Sequence, residues 1–294
     1  MTFTPPPEDI FTPSTRVLWI LAHQDDELPY AGLVQRMPAS ARFLWITNGD
    51  GLAREAGVER NAYSAARIQE TQVAMHVAGV SPDRLRCLGN SEHEIYRHLA
   101  LLGTDRGTHE AMDLMRSIAN QVRAEVLGFR PDVVFTLAFQ GGNPEHDLAH
   151  LTARAALREL PGARLFELPE YELANTVPLR FPPWRRGEGH EIRLRPEELA
   201  VKAAMSGCYP TQARIIRQFK RLMAVAGVVN PLRGRALGWD GFAGFEQFAP
   251  VPTDRDYTRA PHGFDALEYV GDDFEGEPIR FSTMIAPLAR AILG

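Results

Sequence analysis

The chain has 294 residues, 45% of them hydrophobic, with 37 Asp and Glu against 32 Lys and Arg for a formal net charge of -5. That length suits one α/β domain with a large buried core, and the mildly acidic balance gives no electrostatic case for nucleic acid or an anionic membrane as partner. No run approaches the roughly 20 apolar residues of a membrane span, residues 1–15 lack the basic start and apolar core of a secretory signal, and Cys87 and Cys208 are too few for a disulfide framework or a Cys-rich zinc site; a cytoplasmic protein is expected.

After an N-terminal tail over residues 1–15, the continuous apolar run at residues 17–21 predicts a central strand. Residues 43–46 repeat the pattern and end in the turn-rich Thr47-Asn48-Gly49-Asp50-Gly51. Apolar spacing over 62–77 predicts a helix that Gly79 stops, and residues 85–88 form a third strand. A long helix is expected from about 110 to 127, then a strand at 133–137 and a helix over 147–160 closed by Pro161-Gly162. Strands alternating with helices predict a mostly parallel sheet with helices on both faces. Beyond residue 160 the pattern loosens to a strand at 164–171 and a helix at 197–206. Residues 213–294 are expected to be an irregular extension, packed on the 16–212 core, that shapes the substrate pocket.

The loop after the first strand reads Ala22-His23-Gln24-Asp25-Asp26-Glu27. Crowded carboxylates at a strand end need a cation to balance them, and His and Asp are both ligands for a borderline divalent ion such as zinc. With His23 and Asp26 separated by two positions, a tight turn aims both at one ion and leaves Asp25 to face a metal-held water, the pairing that metal-assisted hydrolysis uses. A catalytic zinc takes three protein ligands. The third must come from a distant segment, and His146 in Gly141-Gly142-Asn143-Pro144-Glu145-His146-Asp147 is the best candidate. In parallel sheets, ligands bind beyond the carboxyl ends of the strands, the edge at which the loops after residues 21, 47 and 137 all open.

These motifs, in this order, resemble the PIG-L/LmbE-like N-acetylglucosaminide deacetylases. That family's first signature reads A-H-P-D-D-E, matched by residues 22–27 except for Gln24, and its second, roughly G-G-H-P-D-H-D, corresponds to 141–147. Its T-N-G and R-x-x-E elements correspond to Thr47-Asn48-Gly49 and Arg67-Ile68-Gln69-Glu70, and its later Y-x-S-Q to Tyr209-Pro210-Thr211-Gln212. The resemblance spans about 16–212 and implies a Rossmann-like sandwich that hydrolyses an acyl amide on an amino sugar or sugar-containing metabolite. It implies His23, Asp26 and His146 as ligands of one Zn2+ (Fe2+ and Co2+ suit the same donors) and Asp25 as general base. It also implies a small-molecule substrate, an N-acylated amino sugar, and a homo-oligomer is in keeping with it. One departure stands out: Asn143 occupies the place of a histidine that helps stabilise the oxyanion. An asparagine amide donates only a neutral hydrogen bond there, and His262 is the candidate compensating group.

The plainer readings stand beside these. Asn48 and Asp50 either line the pocket or make the turn, and Arg67 either binds substrate or pairs i, i+3 with Glu70. Glu27 either supports a ligand by hydrogen bonding or caps a helix. His150 either supports the site or is a buried histidine; with Asp147 between, the His146/His150 pair lacks the glutamate of an H-E-x-x-H site. Ser91-Glu92-His93-Glu94 reads as a solvated loop rather than a second metal site, and Arg185-Arg186 and Arg233-Gly234-Arg235 as solvated basic loops. Two other functions fit: a metal-dependent hydrolase or lyase on a different small metabolite, and a non-catalytic carbohydrate-binding relative.

Overall fold

The apolar run becomes strand β2, Val17–Leu21, buried at every residue, which is what a strand covered on both faces requires. The computed structural model describes residues 1–102, 108–170, 179–182, 185–218, 220–221, 243–261, 269 and 273–294. Around β2 stand β3 (Arg42–Thr47), β4 (Leu85–Asn90), β5 (Val133–Leu137) and β6 (Arg164–Leu168), joined as β6-β5-β2-β3-β4 with every neighbouring pair parallel. The sheet continues past β6 through β8 (Phe245–Pro250), β7 (Glu188–Arg193) and the short β1 (Thr2–Thr4) to eight strands. β8 runs antiparallel to both β6 and β7, so the sheet is mostly parallel but mixed.

An aromatic ladder fixes the register. Trp19 pairs with Phe43 on one side and Phe135 on the other, and Phe135 pairs with Phe166. Their ring centroids lie 5.5, 5.0 and 5.5 Å apart, within the range of favourable ring contacts. A one-residue slip of any strand would turn its ring to the opposite face. Locking these strands also aligns their carboxyl ends at Leu21, Thr47, Leu137 and Leu168.

The chain moves outward from β2 to β3 and β4 in one direction, and from β5 to β6 in the other. The seam between β2 and β5 is thus the switch point at which a parallel α/β sheet opens a crevice. Because crossovers are right-handed, the two directions send their helices to opposite faces. One group comprises α1 (Ala31–Gln35), α3 (Arg60–Val77) and α7 (Pro196–Ser206), where α7 packs on both α1 and α3. The other comprises α4 (Glu92–Leu102), α5 (Thr108–Phe129), α6 (Pro144–Ala156) and the C-terminal helix Ala286–Leu293. A single-turn helix, α2 (Ala53–Ala56), follows β3.

Several elements differ from expectation. Residues 2–4 of the N-terminal tail pair with β7, and a stretch of the segment beyond 212 supplies β8, which joins β6 to β7. The expected solvated loop at 91–94 is instead the start of α4, with Glu92 buried. α6 begins three residues early because Asn143 caps it and Pro144 takes the first helical position. No helix among the described residues is long and apolar enough to cross a membrane.

Candidate metal centre

Immediately after β2, the backbone turns back on itself. Asp25 and Asp26 both donate their N–H to the His23 carbonyl, at 3.1 and 3.3 Å, and Asp25 takes a φ of 149°. Such a backbone is strained for a residue with a Cβ, and persists only where surrounding contacts hold it. Its effect is to separate the carboxylates of adjacent residues. Asp26 Oδ2 accepts the N–H groups of Ala22 and His23 at 2.9 and 2.7 Å, which leaves Oδ1 for other partners. Asp25 Oδ1 instead accepts from Arg67 Nη2 at 3.1 Å.

The other half comes from the loop after β5. Gly141, at φ 70°, allows a turn closed by Asp147, whose carboxylate accepts the N–H of Gln140 at 3.0 Å and of Gly141 at 3.2 Å. Asn143 Oδ1 then accepts the N–H groups of Glu145 and His146 at 2.8 and 3.1 Å, so the first turn of α6 presents His146 to the β2 loop. His23 Nδ1, His146 Nε2 and Asp26 Oδ1 form a triangle with edges of 3.1, 3.3 and 3.5 Å. A tetrahedral zinc bonded at about 2.0–2.2 Å holds its ligand atoms about 3.3–3.6 Å apart. The donor set therefore fits a divalent ion in both size and chemistry.

The surroundings strengthen the fit. His23 Nε2, the nitrogen left over, lies 2.6 Å from Glu145 Oε2, the carboxylate–histidine support common behind metal-bound imidazoles. Burial disfavours a charged His23 ring, yet Asp26 and Glu145 outweigh it and hold its pKa well above the usual histidine range. Burial likewise opposes the Asp26 carboxylate, but His146 and His23 keep it well below the ordinary range. Glu92 lies close enough to form a second cluster with His23 and Glu145. Its carboxylate is held by Thr47 Oγ1 and the Gly51 N–H, both at 3.0 Å. Glu170, just beyond β6, is buried with one carboxylate oxygen lacking a hydrogen-bond partner. Burial and the charges of Asp26 and Asp25 push it well above the ordinary carboxylate range. This concentration of acid around two imidazoles is what a dication offsets. The sequence marks Glu92 only within the 91–94 stretch read as a solvated loop, and does not mark Glu170; the signal both share is an acid placed just after a strand that ends at this edge.

The remaining expected site residues fall in several places. Glu27 is fully buried and caps nothing with its side chain; it accepts from Trp45 Nε1 at 3.2 Å and from the Tyr209 hydroxyl. Burial, opposed by the Tyr209 hydrogen bond, raises its pKa to about 7. Arg67 does not pair with Glu70: it is 3% exposed and pairs with Asp25, while Glu70 accepts from Thr211 N and Oγ1 at 2.9 and 2.5 Å. Its Nη1 is buried without a hydrogen-bond partner. Asn48 Oδ1 accepts the Asp50 N–H at 3.1 Å, and Asp50 accepts from Glu92 N and Ser91 Oγ at 2.8 and 2.6 Å. Both therefore follow the turn-making reading, with Asp50 capping α4. Gly49 in the same turn has φ 78°, and a Cβ there would come within 2.6 Å of Gln24 Oε1 and 3.0 Å of Arg67 Cβ. Gln24, in the family's proline position, donates to the Thr47 carbonyl at 2.6 Å and so ties the two loops together. His262 lies outside the described residues, as does Arg233-Gly234-Arg235. His93 sits beside Arg60 at 3.0 Å and against the Phe274 ring.

His150 is fully buried, one turn along α6 from His146. Its Nδ1 donates to the Leu137 carbonyl at 2.8 Å, so Nε2 accepts from the Tyr257 hydroxyl at 3.0 Å. Burial lowers its pKa to about 4, against the pull of Glu167. An unfolded histidine titrates near pH 6.5, so between about 6.5 and 4 the unfolded chain binds a proton the folded chain refuses, and stability falls with pH. Glu27 and Asp147, both raised to about 7, act in the opposite sense, so a variant difference is needed to isolate His150. Urea unfolding of wild type and H150Q should show their stability gap narrowing by about 2 kcal/mol from pH 7 to pH 5. A gap that does not change with pH contradicts a neutral buried His150.

Fold and site together define an α/β protein with a His-Asp-His triad that could hold a metal ion at the switch point of a mostly parallel sheet. Residues 18–157 match the family model described as PIG-L: GlcNAc-PI de-N-acetylase. A curated relative from Corynebacterium jeikeium, named 1D-myo-inositol 2-acetamido-2-deoxy-alpha-D-glucopyranoside deacetylase, is 29% identical over 50% of this chain. The chain spans about half of that relative's length, 51%. A solved deacetylase of the teicoplanin biosynthesis pathway is 18% identical, with a TM-score of 0.59 over 82% of this chain and 100% of that one. The A40926 pseudoaglycone deacetylase is 19% identical, with a TM-score of 0.55 over 82% and 99%. At these identities the two structures show a shared fold.

Proposed function

We propose that the chain is a metal-dependent N-deacetylase that releases acetate, or another short acid, from an N-acylated glucosamine-containing small molecule. The observation that carries this reading is the triangle of His23 Nδ1, Asp26 Oδ1 and His146 Nε2, with the Asp25 carboxylate turned aside from it onto Arg67. The family match of residues 18–157 and the deacetylase name of the curated relative support it.

When bound by these three ligands, zinc supplies Lewis acidity, acidifying water and polarising the amide carbonyl; Fe2+ and Co2+ suit the same donors. Asp25 takes the proton of the attacking water and returns it to the departing amine. Arg67, itself buried, holds the Asp25 carboxylate in place, and its spare Nη1 is a donor for substrate or water. Glu145 fixes the His23 ring so that Nδ1 faces His146 and Asp26. Asn143 uses Oδ1 as the α6 cap, which leaves Nδ2 as a neutral donor toward the oxyanion.

A panel of N-acetyl amino sugars and non-sugar N-acyl amides, assayed for acid release by the metal-loaded protein, tests the substrate class. The reading predicts turnover of the glucosaminides. Turnover confined to the non-sugar amides would move the activity to a different metabolite, and binding of sugars without any turnover would make the protein a non-catalytic relative.

A further inference from the structure

His146 stands in the first turn of α6, the part of a helix that frays most easily, yet a metal ligand has to be held to within about 0.5 Å. Two buried side chains that follow it tie the helix to the end of β5. Asp147 accepts the N–H groups of Gln140 and Gly141 at 3.0 and 3.2 Å, and His150 donates from Nδ1 to the Leu137 carbonyl at 2.8 Å. Spaced i, i+3, the two share one face of the helix. Each also meets a tyrosine hydroxyl from far along the chain. Tyr269 donates to Asp147 Oδ2, and Tyr257 donates to His150 Nε2 at 3.0 Å.

Both tyrosines are buried, and the segments that carry them are themselves anchored. Arg255, two residues before Tyr257, donates through Nη1 and Nη2 to the fully buried Glu167 of β6 at 2.6 and 2.8 Å. Arg185 donates to the same carboxylate, so it is not the solvated basic residue its sequence suggests. Tyr269 donates its N–H to the Ile279 carbonyl at 3.3 Å. Aromatic packing adds a third grip. Phe139, in the loop that leads to His146, meets the Tyr257 ring edge-on at 5.1 Å between centroids and the Phe281 ring at 5.9 Å. The family match ends at residue 157, so Tyr257, Tyr269 and Phe281 all lie beyond it.

We propose that Tyr257 and Tyr269 are positioning residues for the metal ligand His146. Acting through His150 and Asp147, they seat the first turns of α6 against the end of β5 and so set His146 Nε2 against His23 and Asp26. The inference rests on the metal-dependent reading, and it gives the segment beyond residue 250 a task in building the donor triangle. Neither tyrosine touches the triangle itself; each works at one remove, through a hydroxyl that fixes a helix side chain.

The test uses metal-stripped wild type, Y257F, Y269F and Y257F/Y269F. Zinc affinity is measured by competition with a chromogenic chelator, and the visible spectrum of the cobalt-loaded proteins reports the ligand geometry. Phenylalanine keeps the ring and its packing and removes only the hydroxyl. Urea unfolding of the metal-free proteins gives a separate measure of stability. Zinc affinity is expected to fall about tenfold in each single variant, the lower end of what losing the support of a metal ligand costs. It should fall further in the pair, with the cobalt bands shifted or weakened. If the pair does not fold, the two single variants decide by the same criteria. A merely structural role predicts a lower urea midpoint with wild-type zinc affinity and an unchanged cobalt spectrum, and that result overturns the proposal while the metal reading stands. Wild type that binds neither ion overturns the metal reading, and the proposal with it.

Discussion

D25N retains its metal and loses about 10²–10⁴-fold in the rate of deacetylation, the range that a positioned general base supplies. The substitution keeps the size of the side chain and its hydrogen bond to Arg67, but asparagine cannot take a proton from water. Metal retention is expected because Asp25 stands outside the donor triangle: its Oδ1 accepts from Arg67 Nη2 at 3.1 Å, while Asp26 supplies the oxygen near both imidazoles. The φ of 149° at Asp25 keeps these two adjacent acids in separate tasks. Acetate release and metal content, measured on the same preparation, check this. A D25N protein that turns over at the wild-type rate with its metal in place removes Asp25 from the chemistry.

H146A fails differently: it loses both the metal and the activity. His146 supplies two edges of the triangle, 3.1 Å to His23 and 3.3 Å to Asp26, and no described histidine besides these two lies in that cluster. Without it, two protein ligands remain where a catalytic zinc takes three. Because metal that binds only the folded state adds stability by mass action, about 2.7 kcal/mol at a hundredfold excess over Kd, the loss has a readout apart from turnover. Melting temperature should rise with added zinc in wild type and stay flat in H146A. The Asn143 cap and the helix it starts use backbone groups of residues 145 and 146, so the alanine variant keeps α6. A metal-dependent rise in H146A equal to that of wild type would mean the ion binds elsewhere.

The periodicity of the apolar runs made the central strands legible, since a strand buried on both faces must be continuously apolar, as β2 and β5 are. It also made legible which loops share an edge. His23 and His146 are 123 positions apart, yet they meet because parallel strands β2 and β5 end side by side. What a linear reading could not reach depends on tertiary burial. Glu92 and Glu170 have no periodic signature, and only the assembled sheet shows that both are buried at the site's edge. Arg67 offered two local readings, and its partner, Asp25, was a third that needs β2 and α3 side by side. Asn143 illustrates a signal outweighed by another: Asn before Pro is a helix start, but the position first reads as a missing histidine. β8 lies in a stretch without alternation, and its pairing with β6 and β7 comes from context rather than from its own sequence.

The central claim is that one metal ion, held by His23, Asp26 and His146, enables amide hydrolysis at this edge of the sheet. The most direct measurement strips the wild-type protein with a chelator and titrates zinc back while recording acetate released from an N-acetylglucosaminide. Activity should be absent in the stripped protein and rise linearly to a plateau at one equivalent per chain. Hydrolysis that persists in the stripped protein, or a plateau reached only after a second equivalent, would contradict it.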